Sequence, residues 1–311
     1  MDAPVTEGSL AAAAPARRKL LAEFELLLVV LIWGANFTFI KFCLEEIPAY
    51  TFAALRFSLA SICLVALAWH REGPPRIPRD AYPRLIALGI VGNTLYQALF
   101  MIGLSRTSVA NVAIMVGCSP VLVALLGALT GIERLTRPVA IGALLAFSGI
   151  TLVVSVHGPE FSTRTLTGDI AVFCASFCWA AYTLGLRGVG GEIPNLWLTA
   201  LTTIAGVPGL ILLGWGHLGD VHWGALSTRA WWSLAYTTLL ALVLAYALWN
   251  ASVRLVGSGK TAIFGAGVPV VAMFLAWPLL GEQPRLVQLI GAACIVGGVL
   301  TARRMEQPVE G

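Results

Sequence analysis

Charge is scarce in this sequence: Asp, Glu, Lys and Arg make up 12% of its 311 residues, where a soluble domain carries about 25%. Hydrophobic residues make up 58%, and the mean hydropathy is +0.84. Ten-residue segments of alternating polarity are also missing, which excludes a membrane β-barrel. The four histidines (His70, His157, His217, His222) all fall in predicted loops or at the ends of apolar runs. No deep cluster of His, Asp or a Ser with a base exists, so no catalytic residue, metal site or cofactor is expected, and the chain is not read as an enzyme. The six cysteines (Cys43, Cys63, Cys118, Cys174, Cys178, Cys294) lie inside apolar runs and read as small packing residues rather than as disulfides or ligands. Gly257-Ser258-Gly259-Lys260-Thr261 imitates a phosphate loop, but the required glycine five positions before the final Gly is Arg254, and an apolar run rather than a strand precedes it. Lys260 reads instead as a charge at a helix end. No nucleic-acid partner is expected.

Long apolar runs are what the chain has in abundance, and each is long enough to cross a hydrocarbon core of about 30 Å as a helix. Ten predicted helices run over about 24–44, 48–69, 84–104, 107–129, 137–156, 168–187, 193–214, 231–253, 257–280 and 285–302. The basic cluster before the first run has no convincing cleavage site after it, so it reads as the flank of a first span. With a cytoplasmic N-terminus, fourteen Lys and Arg residues fall on the inside and four (Arg106, Arg164, Arg229, Arg285) on the outside. This is a positive-inside bias, and it places both termini in the cytoplasm of an inner-membrane, multi-pass protein whose surroundings are the lipid bilayer. Trp215, Trp223, Trp231, Trp232 and Trp277 then gather at the outer interface.

The segment Leu31 to Pro48, LIWGANFTFIKFCLEEIP, half-returns as FCWAAYTLGLRGVGGEIP, Phe177 to Pro194. A shift of 146 brings Trp33 onto Trp179, Lys41 onto Arg187 and Glu46-Ile47-Pro48 onto Glu192-Ile193-Pro194. A shift of 149 then brings Pro120 onto Pro269, Glu133 onto Glu282, Gly142 onto Gly291 and Gly149 onto Gly298. Five spans per unit is an odd number, so the second copy enters the membrane upside down. The expected fold is an all-α polytopic membrane protein, ten transmembrane helices as two inverted five-helix repeats. Its parts are a tail over 1–22, a first repeat over 23–156, a linker over 157–167, a second repeat over 168–302 and a tail over 303–311. Inverted repeats are typical of secondary transporters, with the solute bound near the midplane between the halves.

Trp33-Gly34-Ala35-Asn36-Phe37 with Lys41, Pro48, the run Phe52-Ala53-Ala54-Leu55-Arg56-Phe57, Pro120, and Gly131-Ile132-Glu133-Arg134 resemble the EamA-type branch of the drug/metabolite transporter superfamily. In the second half Trp179, Pro269 and Gly281-Glu282 do the same. The resemblance runs from about Glu23 to Thr301. It implies a central cavity opening to alternate sides, a small-molecule solute, and export of amino acids or related metabolites. An importer of a vitamin-like ring compound is the alternative that the same cavity serves.

Polar and aromatic residues at depth are the candidate lining. Trp33 and Asn36 share a face of span one. Trp179 and Tyr182 repeat the device in span six. Span three offers Asn93, Tyr96 and Gln97, and span eight offers Tyr246 and Asn250. Unsatisfied polar groups in hydrocarbon cost several kcal/mol, so these face protein or a wet cavity. The bland reading is interhelical hydrogen bonding that holds the bundle together. Arg56, about eight residues into span two, shares its face with Ala53, Ala60 and Cys63 and so points inward, to meet a solute carboxylate or a backbone carbonyl cluster; Thr202 takes its place in the second copy. Lys41 snorkels to the outer interface, and Glu133 and Glu282 cap matched span ends. All sixteen Asp and Glu residues map to tails, loops or span ends. Without a buried carboxylate for a proton relay, facilitated movement down the solute gradient is expected.

Overall fold

The structure, a computed structural model, describes residues 7–106, 116, 119–132, 134, 136–155, 163–189, 193–280 and 285–304. Among these residues every regular element is helical. The α-helices are α1 (Glu7–Leu44), α2 (Ala49–Glu72), α3 (Tyr82–Gly89), α4 (Tyr96–Arg106), α5 (Ser119–Thr130), α6 (Arg137–Ser155) and α7 (Thr163–Gly188). They continue with α8 (Asn195–Gly214), α9 (Thr228–Ala235), α10 (Ala245–Val256), α11 (Ser258–Gly265), α12 (Val268–Leu280) and α13 (Leu286–Arg304). The expected linker core, the last residues of the C-terminal tail, Glu133, Glu282 and the side chains of Lys41 and Trp277 lie outside the described residues.

Among the described residues seven segments are long and apolar enough to cross a membrane: Leu20–Leu44, Ala49–Glu72, Arg79–Gly103, Leu166–Gly188, Asn195–Asp220, Thr228–Val256 and Ser258–Leu275. Shorter apolar helices at Ser119–Thr130, Arg137–Leu152 and Leu286–Thr301 overlap the three remaining expected spans. Leu31, Ile62, Leu144, Leu212 and Leu289 are exposed on the outer surface. An aqueous protein does not present so many large apolar side chains in continuous bands; a bilayer accepts them. Trp215, Trp223, Trp231 and Trp232 are exposed together around the 214–232 connection, where amphipathic rings suit a membrane interface.

Three expected helices are not simple. The run over 257–280 is α11, a turn at Ala266 and Gly267, then α12. Pro269 explains the break: it has no N–H to offer the carbonyl of Gly265 and its ring crowds that carbonyl, so it is accommodated in the first turn of a new helix. The third and eighth expected spans each contain a π-helical segment, Ile90–Leu95 and Tyr236–Leu244. Their first residues are 146 apart, the offset seen in the sequence repeat. A π-turn inserts an extra residue and loosens the carbonyl ladder, a device common at functional sites.

The two halves of the chain pack on each other through matched, antiparallel helices. At one end of the α2–α8 pair, Thr51 Oγ1 donates to Gly214 O at 3.2 Å. At the other, the Glu72 carboxylate accepts from the backbone N–H groups of Leu196 and Trp197, both at 3.0 Å. Those N–H groups start α8 and have no partner in their own helix, and the helix dipole favours the negative charge there. The α6–α13 pair is also antiparallel. A Cβ on Gly149 would sit 2.5 Å from Gly291 O, and one on Gly298 would sit 2.6 Å from Gly142 O. The contact therefore exchanges with itself when each glycine is replaced by its partner at an offset of 149. Small residues allow this backbone approach, which substitutes for a hydrophobic drive inside lipid.

Candidate functional site

The helices bring aromatic residues from both halves to one place. Trp33 from α1 and Trp179 from α7, equivalent in the sequence repeat, meet edge to face at 5.6 Å between centroids. Tyr246 from α10 lies 5.9 Å from Trp33 and 5.8 Å from Trp179. Tyr96 from α4 lies 5.3 Å from Trp179, and Tyr182 lies 5.5 Å from it. Edge-to-face and offset pairs of this kind contribute about 0.5–1.5 kcal/mol each beyond area burial. Tyr96 follows directly on the first π-helical segment, and Tyr246 comes one residue later after the second. The eighth-span segment also supplies an acceptor, because Trp33 Nε1 donates to Ala241 O at 3.1 Å.

Trp249 belongs to this cluster although sequence reasoning passed over it. It lies 5.0 Å from Trp33 and 5.6 Å from Trp179, and its indole N–H is buried without an acceptor among the described residues. Its position one turn after Tyr246 was the available signal.

Tyr182 and Asn250 play a different part. Both are fully buried. Asn250 Nδ2 donates to the Tyr182 hydroxyl at 3.1 Å and to Thr199 Oγ1 at 3.0 Å, and the Tyr182 hydroxyl donates back to Asn250 Oδ1 at 3.3 Å. This is the bundle-holding alternative realised, tying α7, α8 and α10 behind the aromatic floor. Asn93 does similar work, donating to Thr202 O at 2.8 Å from within the first π-helical segment. Asn36 is half-buried and its Oδ1 has no partner among the described residues. Gln97 is buried. No aromatic contact draws Asn36 or Gln97 into the cluster.

Arg56 is 3% exposed. Its guanidinium lies over two phenyl rings, Phe52 at 5.0 Å and Phe57 at 5.4 Å, and Phe57 in turn meets Tyr246 at 6.4 Å. Thus Arg56 borders the aromatic cluster. Its Nε is buried with no acceptor among the described residues, so the expected alternative of a backbone carbonyl cluster is not seen there. The side chains its charge acts on are Tyr246, Tyr96 and Cys43, and none is a carboxylate.

Lys260 stands at a helix end as expected, in the first turn of α11, and there it is buried, 5% exposed with its Nζ 2.9 Å from Glu23 Oε1. The left-handed turn at Gly257 (φ 98°) starts α11 directly after α10 and carries Lys260 inward. Glu23 and Asp169 do stand at span ends, as expected of every carboxylate, but both are buried, which corrects the expectation that the chain holds no buried carboxylate. At the opposite end of α1, Glu46 accepts from Ser227 N at 2.7 Å and from the Ser227 hydroxyl, and Glu45 pairs with Arg229. The Ser227 hydroxyl and backbone N–H, with Arg229 beyond them, hold the Glu46 carboxyl below the ordinary carboxylate range.

Among the described residues no group of His, Cys, Asp and Glu is placed to hold a metal. A groove on the outer surface, lined by Ser61, Ile62, Val65, Ala66, Trp69, His70 and Ile204, includes none of the aromatic cluster.

Apolar helices around a largely buried aromatic and cationic centre define a multi-pass membrane protein. The chain belongs to the EamA-like transporter family, whose model matches residues 20–155 and, separately, 166–304. It is 32% identical over 274 residues to YyaM, an uncharacterized transporter of Bacillus subtilis, with 86% of this chain and 89% of that one covered. A probable amino-acid metabolite efflux pump of Salmonella typhimurium is 26% identical over 287 residues, covering 89% and 92% of the two chains. A crystal structure at 19% identity superposes with a TM-score of 0.75 over 92% of this chain and 98% of its own, which establishes a shared fold.

Proposed function

We propose that this transporter exports an amino acid or a related metabolite across the cytoplasmic membrane, by alternating access of two inverted five-helix halves with both termini inside. The carrying observation is the meeting of the repeat-equivalent Trp33 and Trp179 within one aromatic cluster fed by α1, α4, α7 and α10. A site made from the corresponding spans of both halves is one that a rocking motion of the halves opens to either side. The antiparallel α2–α8 and α6–α13 pairs, the matched π-helical segments and the two separate family matches support the inverted-repeat reading. Similarity to the Salmonella efflux pump supports export and the metabolite class. The end carrying Glu23 and Lys260 then faces the cytoplasm, and the end carrying Glu46 and Ser227 faces outward.

In this reading Trp33, Trp179, Tyr96, Tyr246 and Trp249 receive the apolar part of the solute. Arg56, Asn36 and Gln97 supply polar contacts. Asn93, Tyr182 and Asn250 position the floor. The test is export of a loaded metabolite panel from cells, paired with ligand-induced stabilisation of the purified protein. Trp33→Ala or Trp179→Ala is expected to weaken binding roughly tenfold at normal expression. Unchanged export in both variants would remove the aromatic cluster from the pathway.

A further inference from the structure

We propose that the solute is an organic monoanion, a carboxylate on an apolar or aromatic body without an ammonium group, rather than a zwitterionic amino acid. This rests on the aromatic site described above and narrows what it takes.

The inference starts from charge balance. Arg56 remains protonated under all physiological conditions, and it is 3% exposed. Its charge acts on tyrosines and a cysteine, and no carboxylate among the described residues pairs with it. A buried charge is tolerated at low cost only when it is paired. Here the partner must arrive with the cargo. A monoanion neutralises the guanidinium and leaves nothing over.

A zwitterion neutralises it too, but brings a second charge that needs a partner of its own. The buried carboxylates offer none: Asp169 stands ten residues before Trp179 on α7, about 15 Å of helix away. Glu23 is held by Lys260 at 2.9 Å, and α1 separates it from Trp33 by ten residues, about 15 Å of helix. Aromatic faces remain as a possible ammonium cage. However, Trp33, Trp179 and Tyr246 are turned edge to face, and Trp249 lies tilted against both tryptophans, all at 5.0–5.9 Å. A cation entering that arrangement would have to displace ring–ring contacts and sit close to Arg56, whose like charge opposes it.

The geometry of Arg56 fits the same conclusion. Phe52, one turn before it, and Phe57, its neighbour, both lie against the guanidinium. Phenyl rings attract the charge but offer no lone pairs in the guanidinium plane, so its N–H groups still call for an acceptor. Nε is already free of any acceptor among the described residues. A planar fork held in this way matches a carboxylate in two parallel hydrogen bonds. The phenyl rings act as positioning residues that fix the fork before the solute binds.

The test keeps one carbon skeleton and varies only the charge. Purified protein in detergent is titrated with 3-phenylpropanoate, phenylalanine, 3-phenylpropanamide and 3-phenylpropylamine, and the thermal shift is read for each. Counterflow in proteoliposomes repeats the ranking as transport. In the wild-type protein, 3-phenylpropanoate is expected to bind about tenfold tighter than phenylalanine or the amide, and the amine is expected to bind least. Arg56→Gln is expected to bring the anion to within about threefold of the amide, and Arg56→Lys is expected to fall between.

Phenylalanine binding as well as or better than 3-phenylpropanoate in wild type overturns the inference and leaves the transporter reading in place. That outcome needs no variant, so poor folding of Arg56→Gln does not protect the idea. A preserved anion preference in a folded Arg56→Gln overturns the role of Arg56. No binding of any of the four, together with unaltered export in Trp33→Ala, sinks the site itself along with the inference.

Discussion

Carboxylates tie the two halves of the chain together at both ends of the bundle, in opposite surroundings. At one end Glu23 of α1 meets Lys260 of α11 with side chains 10% and 5% exposed. At the other, Glu46 holds the Ser227 cap of α9, and Glu45 reaches Arg229 with side chains about half exposed. The same functional group therefore makes a latch of two kinds. A buried pair contributes little net stability when both partners are present, because desolvation offsets attraction, yet losing one partner is severe. An exposed pair is screened and nearly neutral to lose. The end proposed to face the cytoplasm is thus expected to be brittle, and the opposite end adjustable.

The sharpest break is at Lys260. Lys260→Met takes the ammonium away from the buried Glu23 carboxylate and is expected to destabilise the folded protein by about 3–5 kcal/mol, read as a fall in the unfolding midpoint in detergent. Glu23→Met added to Lys260→Met is expected to recover most of that loss. A double variant as unstable as the single would mean that packing, not charge, holds this end.

The cap at the same end is next in size. Glu72→Ala removes the acceptor for Leu196 N and Trp197 N and is expected to cost about 0.5–2 kcal/mol. Hydrogen exchange should quicken at the first turn of α8 and not at its last.

Acidification separates the ends further. Because the folded state lowers the Glu46 carboxyl below its unfolded value, its contribution is present above the ordinary carboxylate range and is lost as pH falls through the lowered value. Exchange of the Ser227–Ala230 amides is expected to speed up in that acid window. Glu46→Gln should make it independent of pH there; a persisting acid step would assign the titration to another group. The smallest effect belongs to Glu45→Gln, at about 0–1 kcal/mol, and raising the salt should abolish it.

Much of this molecule was legible before any coordinates. Apolar runs report their own helicity, so the membrane class and the position of most helices followed from composition. Trp33, Trp179, Tyr96 and Tyr246 were recognisable because polar and aromatic groups stand out in an apolar run. Trp249 was not, since in such a run a tryptophan facing lipid and one facing the core look alike. The pairing of Glu23 with Lys260 was also hidden. Each residue lies near the start of an apolar run, where a solvated flank is the ordinary reading, and only the fold reveals that the other stands opposite. The π-helical segments left no composition signal, because one extra residue in a turn changes hydrogen bonding and not polarity. The break between α11 and α12 had a signal in Pro269, which the length of the run obscured.

The glycine contacts between α6 and α13 bear on how such a chain can change over generations. Gly149 faces Gly291, and Gly298 faces Gly142, so each half supplies the surface against which the other is tested. A side chain gained at Gly149 is opposed by the backbone of Gly291 and Ile295 as well as by the Ile295 side chain, so shortening that side chain would not by itself make room. Divergence of the halves is therefore free on the outer faces and at the solute site, as Arg56 opposite Thr202 illustrates. Along this seam the two copies are inherited as one unit, and neither can drift without the other.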